Sequence, residues 1–356
     1  MAVFDVLQVG TALLASETSF VNVTITSVDT TKTLFSWGAR VETNEPGRGG
    51  ISGVLLSPTV LQFLRQSATS TPQATISWYV ATFSTNVVTQ HFTSTPLSAQ
   101  TTSVLIASVN TSQSAIFHSW WVSGGNTNDD DFYSARFQSA TTAQFITVAV
   151  PNTLSGINFQ IFENSDCTIQ QGRMKFGGAT TTSSDTVTSV NTSKSIVIST
   201  YHSAAGTVTN LGQKMVIGQF SSPTVVRFMR QDSGQAVTLE WKVVEFTDGT
   251  VVQAGTAVFA TVTTLVNVTI TSVATNRSIS LISGMAGRGG MGLGRGDDNT
   301  GPYNFTHRLT SPTNLELYRQ TTGNTSATVS WEVVQFDTAA VAAAVEIFDE
   351  SYVLVA

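Results

Sequence analysis

Short runs in which apolar and polar residues alternate with a period of two recur along the whole chain, each cut off by Gly, Pro, Asn, Asp or Ser. Such alternation marks a half-buried β-strand. Residues 168–249 show it most cleanly and predict strands at 169–176, 186–190, 195–201, 214–220, 224–230 and 236–246, with a polar turn at Asn191-Thr192-Ser193. Short polar side chains there can hydrogen-bond their own backbone. Five or six short strands at this spacing indicate an antiparallel sandwich or barrel. In the 224–230 run, Val226 and Phe228 alternate with Arg227 and mark a core face. Leu61 and Phe63, Ala143 and Phe145, and Leu315 and Leu317 repeat that face elsewhere.

The pattern is itself copied. Residues 6–33 return as 251–278 at a constant offset of 245, keeping Gln8 as Gln253 and Gly10 as Gly255. The turn Ser27-Val28-Asp29-Thr30 recurs as Ser108-Val109-Asn110-Thr111, Ser189-Val190-Asn191-Thr192 and Ser272-Val273-Ala274-Thr275, at successive offsets of 81, 81 and 83. A fixed period of this size means one folding unit repeated in tandem. The expected fold is all-β, with four tandem antiparallel β-sandwich units of immunoglobulin-like or jelly-roll-like kind, each of about 80 residues. They fall at 1–86, 87–167, 168–249 and 250–356, the last with a Gly-rich insertion and a C-terminal strand.

One aromatic anchor is expected per unit: Trp78, Trp241 and Trp331, with Phe159 in the second. Each would bury about 150–250 Å² in a domain with no disulfide to support it. Loss of Trp331 should then unfold the fourth unit selectively. Ser57-Pro58-Thr59, Ser222-Pro223-Thr224 and Ser311-Pro312-Thr313 precede the core-face strand, where Pro, lacking a donor, marks a strand start. Arg65, Arg230 and Arg319 end that strand, with Thr147 in unit two. They form either a row of cationic contacts or, as we favour, guanidiniums that cover their own sandwich edges.

Composition narrows the function. Only 11% of the 356 residues are charged, so hydroxyls must wet the surface, while 41% are apolar and regularly patterned, which excludes disorder. Net charge is −6 with no basic run, so nucleic acid is not an expected partner. No stretch approaches a membrane span, and residues 1–15 read as a first strand rather than a secretion signal. The single cysteine, Cys167, excludes a disulfide framework and fits a reducing cytoplasm.

Units one and four share the loop Gly47-Arg48-Gly49-Gly50 and Gly287-Arg288-Gly289-Gly290, expanded in unit four by residues 291–307. We read that insertion as a protein-contact arm, with Arg48, Arg288, Arg295, Asp297 and Tyr303 as interface residues. The run 292–297 lacks the strand-to-helix setting of a phosphate loop. Its Arg295-Gly296-Asp297 spells an adhesion tripeptide that arises readily by chance in such loops. Asn126 to Asp131 either offers carboxylates to calcium or is a solvated hairpin tip. His91, His118, His202 and His307 have no metal-ligand spacing, and only Asp129 to Asp131 with Glu163 forms an acidic group relevant to catalysis. No enzyme activity, cofactor or metal is expected.

The repeat combining V-x-Q-x-G, S-V-[DN]-T, a [ST]-P-T strand and Trp241 to Phe246 (WKVVEF) resembles tandem β-sandwich modules of tailed-bacteriophage virion proteins, in head-decoration or tail and fibre contexts. The likeness covers essentially the whole chain, with unit two departing most. It implies a non-enzymatic virion component assembled in the host bacterial cytoplasm, in contact with capsid or tail subunits and with further copies of itself. The alternative is a receptor-binding fibre or adhesin recognising host surface glycans, with Trp120, Trp121, Phe132 and Tyr133 stacking on sugars.

Overall fold

The computed structural model describes residues 3–41, 50–65, 72–97, 99–121, 132–150, 156–203, 211–282, 293–294, 304–322 and 326–338. The expected C-terminal strand lies outside them. Unit one comprises β1 (Val3–Leu14), β2 (Phe20–Thr24), β3 (Thr33–Val41), β4 (Ser52–Ser57), β5 (Val60–Leu64) and β6 (Ala74–Thr85). Unit two has β7 (Val87–Pro96), β8 (Thr101–Leu105), β9 (Ser114–Trp121), β10 (Ser134–Ser139), β11 (Thr142–Ile146) and β12 (Gly156–Asn164). Unit three has β13 (Cys167–Phe176), β14 (Thr182–Thr186), β15 (Ser195–Ser203), β16 (Ile217–Ser222), β17 (Val225–Met229) and β18 (Val237–Phe246). Unit four has β19 (Val251–Phe259), β20 (Leu265–Thr269), β21 (Ser278–Ile282), β22 (Leu293–Gly294), β23 (Phe305–Ser311), β24 (Asn314–Arg319) and β25 (Ala327–Gln335).

Every unit folds the same way. Its first, last and third strands make an inner antiparallel sheet (β1-β6-β3 in unit one), to which unit four adds the short β22 against β25, and three further strands make an outer sheet (β2-β5-β4). The expected all-β sandwich is what the chain adopts. The predicted core face is buried in all four copies, as are Trp78, Phe159, Trp241 and Trp331. Gly10, Gly172 and Gly255 lie beneath the three tryptophans, so close that a Cβ there would overlap each indole. In unit two the smaller Phe159 leaves room for a side chain opposite, and Phe92 stacks on it at 4.3 Å.

The invariant glutamine of the repeat has an equally local cause. Gln8 Nε2 donates to Thr26 O at 2.9 Å while its Oε1 accepts from Thr26 N–H at 2.7 Å. Gln90 does the same to Ala107, Gln170 to Thr188 and Gln253 to Thr271. One amide side chain thus replaces a strand partner and satisfies the backbone of the segment after β2, β8, β14 and β20. This corrects the strand expected at 186–190. The strand is β14, and the residues beyond it are tied instead to Gln170 and to the Pro223-Thr224 turn, through Val187 N–H to Thr224 O and Val190 N–H to Pro223 O. The prolines accordingly sit in the tight turns β4–β5, β16–β17 and β23–β24, just before the strand that each was expected to open.

The units are not strung end to end. β6, β12, β18 and β25 are buried on both faces; one face fills the sandwich and the other enters a second, shared core. That core joins residues of all four inner sheets, among them Phe4, Phe83, Phe162, Phe246 and Phe336. Phe336 stands edge-on to Phe83 at 4.9 Å and to Phe246 at 6.4 Å. Around it one edge strand of each outer sheet packs on the inner sheet of the next unit: β4 on β7, β9 and β12; β10 on β15 and β18; β16 on β25; and β23 back on β3 and β6. The circuit of interfaces closes from unit four to unit one. Closed, head-to-tail contact between like elements is the geometry of a cyclic ring, here within one chain.

Candidate functional site

Arg48, Arg288, Arg295, Asp297 and Tyr303 lie outside the described residues, as do Asn126 to Asp131. The row of strand-end arginines is described, and it is internal. Arg65 is 2% exposed, Arg230 2% and Arg319 0%. Arg65 Nε donates to Thr18 O at 2.8 Å and its Nη2 to Ala15 O at 2.7 Å. Arg230 makes the matching bonds to Thr180 and Gly177, and Arg319 to Thr263 and Ala260. Each guanidinium therefore staples the turn between the first two strands of its own unit. Arg230 and Arg319 also lie over the rings of Phe176 and Phe259. Burial lowers the Arg65 pKa to about 10. The favoured reading, guanidiniums that cover their own sandwich edges, is what the structure shows, with backbone carbonyls as their hydrogen-bond partners, and no outward cationic row exists at these positions.

The aromatics considered for sugar stacking are corrected likewise. Trp120, Phe132 and Tyr133 are buried and Trp121 is half-buried. Phe132 stacks on Tyr201 of the next unit at 5.9 Å, which fuses the cores of units two and three. His118, His202 and His307 are buried and His91 is half-buried. Burial is the leading cause that holds His91, His118, His202 and His307 at about 4, so each is neutral at pH 7. The Cys167 thiol is pushed up to about 12 by burial and hydrogen-bonds Asn164 O. Among the described residues no group of three or more His, Cys, Asp or Glu could hold a metal.

Polar chemistry concentrates in the seams between units. The residue after each anchor is Tyr79, Gln160, Lys242 or Glu332, and it points away from its own sandwich toward the preceding unit. Tyr79 OH accepts from Leu309 N–H at 3.0 Å and from Ser280 Oγ at 2.9 Å. Gln160 Oε1 accepts from Phe35 N–H at 3.0 Å while its amide donates to Phe35 O. Glu332 Oε1 accepts from Val197 N–H at 2.9 Å, and burial raises its pKa to about 8. One position in the repeat thus carries four different chemistries, one per seam.

Lys242 lines a groove of about 270 Å³ between units two and three, with Arg136, Phe137, Gln171, Arg173, Thr200 and Glu240. Lys242 Nζ donates to Gln171 Oε1 at 2.5 Å and lies 4.9 Å from the centre of the Phe137 ring. Burial lowers its pKa to about 8, against the opposing pull of Glu240. The Glu240 carboxyl is pushed up by burial, against the pull of Arg173, Arg136 and Lys242. Arg136 Nε donates to Gln144 Oε1 at 2.9 Å. None of these residues stood out as a site in the sequence. The available sign was Glu240 and Lys242 on either side of the anchor Trp241, in a strand whose copies read Ser77-Trp78-Tyr79 and Ser330-Trp331-Glu332.

The second feature is positional. The connections from the third to the fourth strand of every unit run from Val41 to Ser52, Trp121 to Ser134, Ser203 to Ile217 and, through β22, Ile282 to Phe305. In a closed head-to-tail circuit, equivalent points lie at one level along the axis, so the strand ends Val41, Trp121, Ser203 and Ile282, from which these connections start, share one level. The connections hold the sequence in which the units differ most, including the Gly-rich insertion. No protein-family model matches the chain and no curated protein sequence matches it. Among the described residues no helix is long and apolar enough to cross a membrane.

Proposed function

We propose that this chain is a non-enzymatic structural protein of a phage virion, assembled in the host bacterial cytoplasm, that decorates or connects the particle surface through loops and edge strands. The observation that supports the reading is the closed circuit of four sandwich units around a shared core, in which the strand ends that bear the four unequal connections recur at equivalent positions. Variable loops on a rigid scaffold are the usual architecture of a recognition surface. Here the role is attachment by several small contacts whose relative positions are fixed, so each added contact engages at high effective concentration.

Exposed apolar side chains give secondary support. Leu13 and Phe20 on the edge strands of unit one, and their counterparts Val258 and Leu265 in unit four, are all exposed. Exposed apolar edges are points at which another subunit can add. Capsid or tail subunits and further copies of this chain are the partners proposed. The glycan-binding alternative loses the aromatic residues on which it rested, since three of the four are interior. The test is deletion of residues 291–298 followed by cosedimentation with particles lacking the protein. Attachment should fall at least tenfold, whereas unchanged attachment would count against the proposal.

A further inference from the structure

The seam between units two and three carries more positive charge than its own groups neutralise, and we propose that it binds a small oxyanion-bearing ligand, a carboxylate, phosphate or sulfate group, between Arg136 and Arg173. Three cationic side chains, Arg136, Arg173 and Lys242, line the groove with one carboxylate, Glu240. Both guanidiniums lean on the same oxygen, Arg173 Nε at 3.4 Å and Arg136 Nη1 at 3.8 Å from Glu240 Oε1. Those separations are longer than charge-assisted hydrogen bonds, and Glu240 Oε1 makes no hydrogen bond among the described residues. The Asp185 carboxylate accepts from the Trp241 indole N–H at 3.2 Å and is not among the groove's lining residues.

The remaining donors face a place a ligand can reach. Arg136 and Arg173 side chains are 40% and 50% exposed, while Glu240 is 12% exposed. Beside them Lys242 is held in the wall by Gln171 and Phe137. A guanidinium presents paired N–H groups that match a carboxylate or phosphate, and two of them flanking a groove make a clamp.

Two other seams lack this excess. In the equivalent position of unit four, Arg308 is neutralised by Glu316 at 2.6 Å, where unit two offers Arg136 the neutral Gln144. The second cation of that seam, Arg40, lies 3.6 Å from the centre of the Tyr318 ring. Between units three and four the position of Arg136 is held by Gln219 and that of Lys242 by Glu332. The inference is independent of the loop reading, because the groove lies in a seam and is built by framework strands.

The test is titration of the full chain with sodium glucuronate, sodium sulfate and sodium phosphate at constant ionic strength, followed by calorimetry and by NMR of the arginine side chains. We expect saturable binding at one site per chain, shifts at Arg136 and Arg173, and at least a tenfold loss in Arg136→Gln/Arg173→Gln, with Arg308→Gln unaffected. Preference for glucuronate over the inorganic anions would assign a carboxylate ligand, and the reverse order a phosphate or sulfate ester. Binding that does not saturate, shifts confined to other arginines, or a double variant that binds like the wild type would each overturn the proposal. The NMR arm uses the unmodified chain and stands even if the double variant fails to fold.

Discussion

At the scale of single residues, this protein places small against large with little slack. Gly172 lies under the indole of Trp241 where a methyl group would overlap ring carbons. Gly172→Ala should therefore destabilise by about 1–3 kcal/mol through overpacking, read as a lower urea midpoint at unchanged slope. Glu332 supplies a second test. Its folded pKa of about 8 lies above the ordinary 4.5, so the folded state retains a proton that the unfolded state releases. That contribution is fully present below about 4.5 and is lost as pH rises through 8. Relative to Glu332→Gln, which keeps an acceptor for Val197 N–H and cannot ionise, the wild type should lose stability steadily from pH 5 to pH 8. Parallel urea midpoints for the two proteins across that range would contradict the assignment.

At the scale of the element, the 3-10 turn before the third strand exposes how the units differ. Asp29 and Asn191 accept from the backbone N–H of Thr31 and Ser193, capping the turn. Ala274 has nearly the same backbone, φ −80° and ψ 102° against −82° and 102° at Asn191, but no side chain to cap with. Ala274→Asn should accordingly stabilise by roughly 0.5–1 kcal/mol, measurable by thermal or urea unfolding. The Asx turn, the core-face alternation and the tryptophan anchors were all legible in the sequence, because each depends on neighbours within one unit. The Gln170 bridge was not. Its partner Thr188 is separated by a turn, and a polar residue on a strand gives no sign that it substitutes for a missing ladder.

At the scale of the molecule, the shared core couples the units. Trp331→Ala removes an anchor from the same strand whose other face gives Val334 to the core common to all four. It should still cost about 3–5 kcal/mol. Selective unfolding of unit four, expected from tandem order, gives way to a single transition shifted to lower denaturant. Intrinsic fluorescence and circular dichroism should report coincident curves, and a separate early transition would show that the units unfold independently.

The sequence alone determined the four-fold copy of one all-β sandwich, its core faces and its anchors, since period-two burial, turn chemistry and aromatic volume act over short range within a unit. It also held a hint of the ring. The run Ile76-Ser77-Trp78-Tyr79-Val80-Ala81 is too apolar for a strand with one wet face. Which neighbour covers that second face was decided only by the tertiary structure, because four equivalent surfaces can join in a row or in a closed circuit with the same local pattern. Closure is what buries Phe83, Phe246 and Phe336 together, and the packing of unit two on unit three gathers Arg136, Arg173, Glu240 and Lys242 into one groove.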